Sequence, residues 1–98
     1  MSDLFAGATI FNRSIGGLVT SSVINMSGMF EGAAAFNQSI SGWNTSAVAS
    51  MDRMFRNAST FNRDLGGWCV SGIPAEPAEF DDGASAWISL RPVWGTCP

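Results

Sequence analysis

Residues 29–50 read MFEGAAAFNQSISGWNTSAVAS, and residues 54–75 repeat this pattern 25 positions later as MFRNASTFNRDLGGWCVSGIPA. The same pattern occurs earlier, at residues 4–25, as LFAGATIFNRSIGGLVTSSVIN. A fixed period of this length is typical of one supersecondary unit stacked on copies of itself. The repeat therefore predicts a solenoid in which the repeated positions form the core. Any ligand would be contacted by the variable positions between them.

The repeat also predicts how the 98 residues are organised. We expect a single repeat domain over residues 1–98, with repeat coils at 1–25, 26–50 and 51–75 and a degenerate capping coil at 76–98. The last coil keeps a phenylalanine at the repeated spacing but surrounds it with proline and acidic residues. Such a change is expected of a cap, which covers the last apolar face and does not accept another copy.

Short helices and short strands are predicted within each coil. Met51, Met54 and Phe55 fall at positions i, i+3 and i+4, which is typical of the apolar stripe of a helix. Residues 43–46 are the predicted strand, stacked in parallel on the corresponding residues of the neighbouring coils. Alternation along this strand turns Trp43 inward, and Trp43 and Trp68 repeat in register, which favours a place in the core for both.

A recurring Phe-Asn pair predicts a second internal feature. It occurs as Phe11-Asn12, Phe36-Asn37 and Phe61-Asn62. An amide repeated at this spacing is expected to form a ladder, in which each asparagine bonds the backbone of the next coil. We therefore interpret these asparagines as structural.

The repeat pattern as a whole, M-x-x-M-F-x-x-A-x-x-F-N-x-x-I-x-x-W-x-T-S-x-V, resembles the 25-residue unit of the BspA-type leucine-rich-repeat surface proteins. The ending, GWCVS at 67–71 and PVWGTCP at 92–98, is similar to the closing unit at the C-terminal end of such arrays. The resemblance implies an α/β fold, a right-handed leucine-rich-repeat-like solenoid of about four 25-residue coils with short parallel strands and short helices. It also implies a bacterial or protist surface protein that adheres to macromolecules.

The two cysteines, Cys69 and Cys97, predict a disulfide that fastens the cap to the strand wall. Two thiols without histidine are too few for a tetrahedral zinc site, and the alternative is a pair of buried free thiols. Disulfides persist in oxidising compartments, which fits the exported location that the resemblance suggests. We therefore expect an extracellular or cell-surface protein. Because Met1 aligns with Met26 and Met51, we also expect further units upstream and an export signal before them.

Several classes of function are not expected from the composition. The chain has no histidine and no recognisable nucleophile or phosphate-binding motif, so we predict no enzyme and no cofactor. The acidic stretch at 76–82 lacks the spacing of a calcium loop, so no metal is predicted. A net charge of −3 with no lysine and dispersed arginines does not suit nucleic acid. No apolar run reaches the length of a transmembrane segment.

The leading functional hypothesis is a non-catalytic module that binds an extracellular protein or glycan. Its predicted contact face consists of the outward-facing strand residues Val19, Ser21, Asn44 and Ser46. The charged residues Arg53, Arg56 and Glu31 could equally form the contact face.

Three further hypotheses remain open from the sequence. A purely structural capping or spacer segment would leave binding to other repeats. Binding to ice or a crystal surface is suggested by the recurring Thr20-Ser21 and Thr45-Ser46 pairs. Exposed apolar side chains around Leu4, Phe5 and Phe11 would also favour self-association through the N-terminal coil.

Overall fold

Residues 24 or 25 apart in the sequence lie next to each other throughout this computed structural model, which describes residues 2–97. Asp3 N donates to Ser27 O at 3.0 Å, and Gly28 N donates to Asp52 O at 2.9 Å. The repeat length therefore sets which backbone groups meet. We call residues 2–25, 26–50, 51–75 and 76–97 the first, second, third and last units. Met1 and Pro98, the predicted ends of the repeat domain, lie outside the described residues.

The predicted secondary structure is wrong. The described residues 2–97 contain no helix and no strand, and one isolated parallel bridge, between Asn25 and Ser50, is the closest approach to a sheet. The α/β, right-handed leucine-rich-repeat-like solenoid is therefore not the fold of this protein. The units instead consist of successive tight turns in a compact body of 31 × 24 × 19 Å with a radius of gyration of 11.9 Å.

Hydrogen bonding explains why the predicted helices do not form. In the second unit, Met29 N donates to Met26 O and Glu31 N donates to Gly28 O, so alternate amides close β-turns of four residues. The amides that alternate with them, those of Gly28 and Phe30, donate to the third unit. An α-helix needs every amide to bond the carbonyl four residues earlier, so it cannot share its amides in this way.

Backbone conformation excludes the helices as well. Gly28 has a φ value of 65°, and Arg53 at the same position of the third unit has a φ value of 58°. These residues lie in the left-handed region, which a right-handed helix does not contain. Each predicted helix is thus interrupted at its third residue.

Side-chain hydrogen bonds replace the predicted strand ladder. Thr20 Oγ1 donates to Asn44 O at 3.0 Å, and Thr45 Oγ1 donates to Cys69 O at 2.8 Å. A parallel ladder would use backbone amides for these contacts. Here the backbone folds into turns instead, as in the bond from Val48 N to Thr45 O.

Two columns of stacked phenylalanine rings run through the core. The first contains Phe5, Phe30 and Phe55, and the second contains Phe11, Phe36 and Phe61. Ring centroids within a column are 5.4 to 5.8 Å apart, and the ring planes differ by at most 13°. This spacing lies in the range of offset aromatic stacking, so each ring packs on its copies above and below.

The parallel stacking ends in the last unit. Phe80 meets Phe55 at 78°, and Trp87 meets Phe61 at 83°. Trp94 in turn lies edge-on to Phe80, at 81°. The last rings are therefore rotated against the columns, and the face-to-face series does not continue past them.

A disulfide joins Cys69 to Cys97, as predicted. The two residues are 28 positions apart, so the bond closes a loop that contains most of the last unit. Val70 N donates to Thr96 O at 2.8 Å beside it. The alternative of two buried free thiols is excluded.

Candidate contact surface

The four residues of the predicted contact face all lie on the surface. Val19, Ser21, Asn44 and Ser46 are exposed, and the Val19 side chain reaches 85% exposure. The inward neighbours alternate with them, because Thr20, Trp43 and Thr45 are buried. We call these four residues the contact strip. Their exposure makes contact with a partner possible, and their binding role stays a prediction.

Local hydrogen bonds fix the part of the contact strip that lies in the second unit. Asn44 Oδ1 accepts bonds from Ser46 N at 3.0 Å and from Ser46 Oγ at 2.6 Å. This is an Asx turn, in which the asparagine side chain closes the turn that follows it. Among residues 2–97, nothing accepts a hydrogen bond from the Asn44 Nδ2 group, which therefore stays available as a donor.

Two tryptophans hold the backbone behind the contact strip. Trp43 Nε1 donates to Ile15 O at 3.1 Å, and Trp68 Nε1 donates to Ile40 O at 3.1 Å. The two rings stack with their centroids 6.4 Å apart. Each indole thus links one unit to the unit before it, and its predicted place in the core is confirmed.

The strip continues to the disulfide, beyond the four residues of the predicted contact face. Cys69 lies 25 positions after Asn44, and Ser71 lies 25 positions after Ser46. The Cys69 Sγ and Ser71 Oγ atoms are 3.8 Å apart. The repeat spacing was the signal that could have extended the strip to this third level.

The alternative, charged contact face already has internal partners. Glu31 pairs with Arg53 at 3.6 Å and with Arg56 at 3.3 Å, and Arg56 also pairs with Glu79 at 3.4 Å. All four side chains are partly exposed to solvent. Such pairs contribute little to stability, about 0–1 kcal/mol each. They do neutralise one another, which leaves less charge for an external partner.

The asparagine ladder predicted from the Phe-Asn pairs is confirmed. Asn12 Oδ1 accepts from Asn37 N at 3.0 Å, and Asn37 Oδ1 accepts from Asn62 N at 2.9 Å. Asn62 Oδ1 accepts from Ile88 N at 2.9 Å in the last unit. These amides connect all four units, so their role is structural.

Residues 2–97 contain no cavity, and they contain no group of three or more histidine, cysteine, aspartate or glutamate side chains that could hold a metal ion. No helix among these residues is long and apolar enough to cross a membrane.

Comparison with known proteins identifies the family. Residues 1–89 match the family described as "Mycoplasma protein of unknown function, DUF285". The match covers most of the chain, and the protein belongs to this family. No curated protein and no solved structure matches the chain. The finer resemblance to BspA-type leucine-rich-repeat proteins has no separate match.

Proposed function

We propose that this protein is a non-catalytic surface or secreted module of BspA type, which binds an extracellular protein or glycan through the contact strip. The observation that carries the proposal is that exposed and buried side chains alternate along the contact strip in both the first and the second unit. Val19, Ser21, Asn44 and Ser46 face solvent, whereas the residues between them are anchored in the core. The repeat thus supports a regular surface of small side chains.

The chemistry of the contact strip suits a neutral partner. Asn44 and the two serines supply hydrogen-bonding groups, and Val19 supplies an exposed apolar group. The Asx turn and the buried neighbours hold these groups in place before a partner arrives. Preorganisation of this kind lowers the entropic cost of binding. A protein surface or a glycan without strong charge fits this chemistry best.

The disulfide supports the extracellular part of the proposal. Disulfides form and persist in secreted and surface proteins, whereas reducing compartments keep thiols free. The Cys69–Cys97 bond is therefore compatible with an extracellular location.

The test is binding of the oxidised protein to immobilised matrix proteins and glycans, with a Val19→Arg/Ser21→Arg variant. Neither side chain makes a hydrogen bond within residues 2–97, so the variant should keep the fold. The matched control is Thr60→Arg/Ile88→Arg, which adds the same charge at exposed positions outside the strip. We expect the strip variant to lose binding and the control to retain it. Equal binding by both variants would contradict the contact strip.

A purely structural capping role is the second candidate, and the last unit supports it. Its aromatic rings turn edge-on to the columns, and the disulfide fastens the unit to Cys69. A folded, oxidised sample that binds nothing in the panel would favour this role.

Ice or crystal-surface binding is the least supported candidate. Thr20 and Thr45 are buried, and their hydroxyl groups donate to carbonyls of the following unit. These two hydroxyls therefore cannot form a ladder on the surface. Absence of thermal hysteresis in a folded sample would exclude this candidate.

A further inference from the structure

The backbone hydrogen bonds that join the first turns of successive units have one direction, opposite to that of the asparagine ladder. Asp3, Phe5 and Gly7 donate their amides to the carbonyls of the second unit, and the second unit donates to the third in the same way. The first unit has carbonyls at the corresponding positions, on Ser2, Leu4 and Ala6. No donor among residues 2–97 bonds these three carbonyls, which we call the acceptor row.

The opposite end of the molecule presents amides. Arg53, Phe55 and Asn57 donate to the last unit, and the first and third of them have positive φ values. In the last unit, the positive φ values recur at Glu79 and Gly83, 54° and 78°.

The amides of Glu79, Asp81 and Gly83 therefore correspond to the donors of the third unit. No acceptor within residues 2–97 bonds them, and we call them the donor row. Both rows have a spacing of two residues, so a donor row matches an acceptor row.

One leucine is also exposed at each end of the molecule. Leu4 occupies the same repeat position as Met29 and Met54. Those two side chains are fully buried, whereas Leu4 is 54% exposed. Leu90 occupies the same repeat position as the buried Leu65, whose amide donates to Leu90 O at 2.9 Å. The Leu90 side chain is 66% exposed. Each end therefore has apolar surface that a neighbouring molecule could cover.

We propose that a second copy of this chain docks head to tail, with the donor row of one copy on the acceptor row of the next. Two acceptor rows cannot pair, because carbonyl oxygens would face one another, so a symmetric dimer through the N-terminal end is disfavoured. A head-to-tail contact leaves one free end on each side and adds further copies without closing. This inference is independent of the contact strip, and it competes with the capping role, in which no further copy covers the last unit.

Sedimentation velocity of the oxidised protein over a concentration series tests the proposal. The wild type should show a weight-average mass that rises continuously with concentration from the 10.3 kDa of one chain. A protein that stays monomeric, or that stops at a dimer, would overturn the proposal. This measurement requires no variant, so it stays decisive if a substitution impairs folding.

Two end-blocked variants then distinguish the geometry. Leu4→Arg blocks the N-terminal end and Leu90→Arg blocks the C-terminal end, each at an exposed position. Every head-to-tail contact needs one end of each kind, so each variant alone should remain monomeric. A mixture of equal amounts retains one intact pair of ends and should reach twice the mass of one chain.

A symmetric dimer and a non-specific effect of added charge give different sedimentation results. A symmetric N-terminal dimer predicts that Leu90→Arg alone associates and that mixing adds nothing, which would overturn the proposal. Thr60→Arg adds the same charge on the side of the molecule and should associate like the wild type. Near-ultraviolet circular dichroism of the buried tryptophans confirms that each variant is folded before it is compared.

Discussion

Gly83 is the residue whose substitution should reveal the backbone geometry most directly. Its φ is 78°, and an added Cβ would collide with Asn57 Oδ1 and lie 3.3 Å from Asn57 Cα. We expect Gly83→Ala to lower the free energy of unfolding by about 1–3 kcal/mol, since strain and collision add. Urea unfolding followed by tryptophan fluorescence measures this change.

Gly67→Ala is the matched control for this prediction. An added Cβ at Gly67 meets nothing within 4 Å, and no left-handed conformation is required there. Alanine should therefore leave stability unchanged or raise it by about 0.4–1 kcal/mol, because it restricts the unfolded chain. Equal losses at both glycines would show that the left-handed turn is not the cause.

Asn37 tests the asparagine ladder at a single residue. Asn37→Ala removes the acceptor of Asn62 N and should lower the free energy of unfolding by about 1–3 kcal/mol, because this amide loses its partner. Asn37→Asp keeps a side-chain oxygen at the same place and should cost less. Paired urea unfolding curves compare the two, and an aspartate variant as unstable as the alanine variant would contradict the ladder.

At the scale of elements, the stability lost when a phenylalanine is replaced should depend on its place in the column. Phe36 is fully buried between Phe11 and Phe61, so Phe36→Ala should cost roughly 3–5 kcal/mol. Phe11 has a neighbour in its column on one side and is partly exposed, so Phe11→Ala should cost about half as much. Thermal unfolding measures both, and equal costs would mean that the first unit is packed as tightly as the second.

The sequence predicts these packing elements better than it predicts secondary structure. The 25-residue spacing correctly indicates the asparagine ladder and the buried Trp43 and Trp68, because each follows from which residues recur. The disulfide is correctly indicated by the pair of cysteines instead. Secondary structure depends on φ instead. Met26, Met29 and Phe30 have helical spacing, yet consecutive turns place the same three side chains inward.

The third residue of each predicted helix adopts the left-handed conformation that replaces the helix with turns, but its residue type does not predict this conformation. Gly28 in the second unit could suggest a left-handed turn, but Arg53 adopts the same conformation at the same position of the third unit. Arginine at positive φ is uncommon, so local propensity gives no warning of it. Neighbouring units impose this conformation through their hydrogen bonds.

The residues of the contact strip are exposed as predicted, although the strands on which that prediction rested do not form. Trp43 and Thr45 are drawn inward by their own hydrogen bonds to other units, so Asn44 between them must face outward. The strand prediction does not include the Asx turn that joins Asn44 to Ser46, because an extended strand has no place for it.

At the scale of the whole molecule, the disulfide should supply a large part of the stability. Removing it with Cys69→Ser/Cys97→Ser frees a loop of 28 residues. The free energy of unfolding should fall by about 3–4 kcal/mol in the chain-entropy model. Urea unfolding measures the change, and the reduced wild type is the control, which should match the double variant. A loss well below 1 kcal/mol would mean that the last unit is held by its aromatic contacts alone.

The position of the disulfide also gives the molecule a mechanical polarity. Under tension between the chain ends, the covalent link carries the load from Cys97 directly to Cys69, and the segment between them stays slack. Within residues 2–97, the first unit has a neighbour on one side and no such link, so we expect this part of the chain to unravel from the first unit. Each 25-residue unit would then release roughly 80–90 Å of chain, whereas the last unit would resist until its bond is reduced.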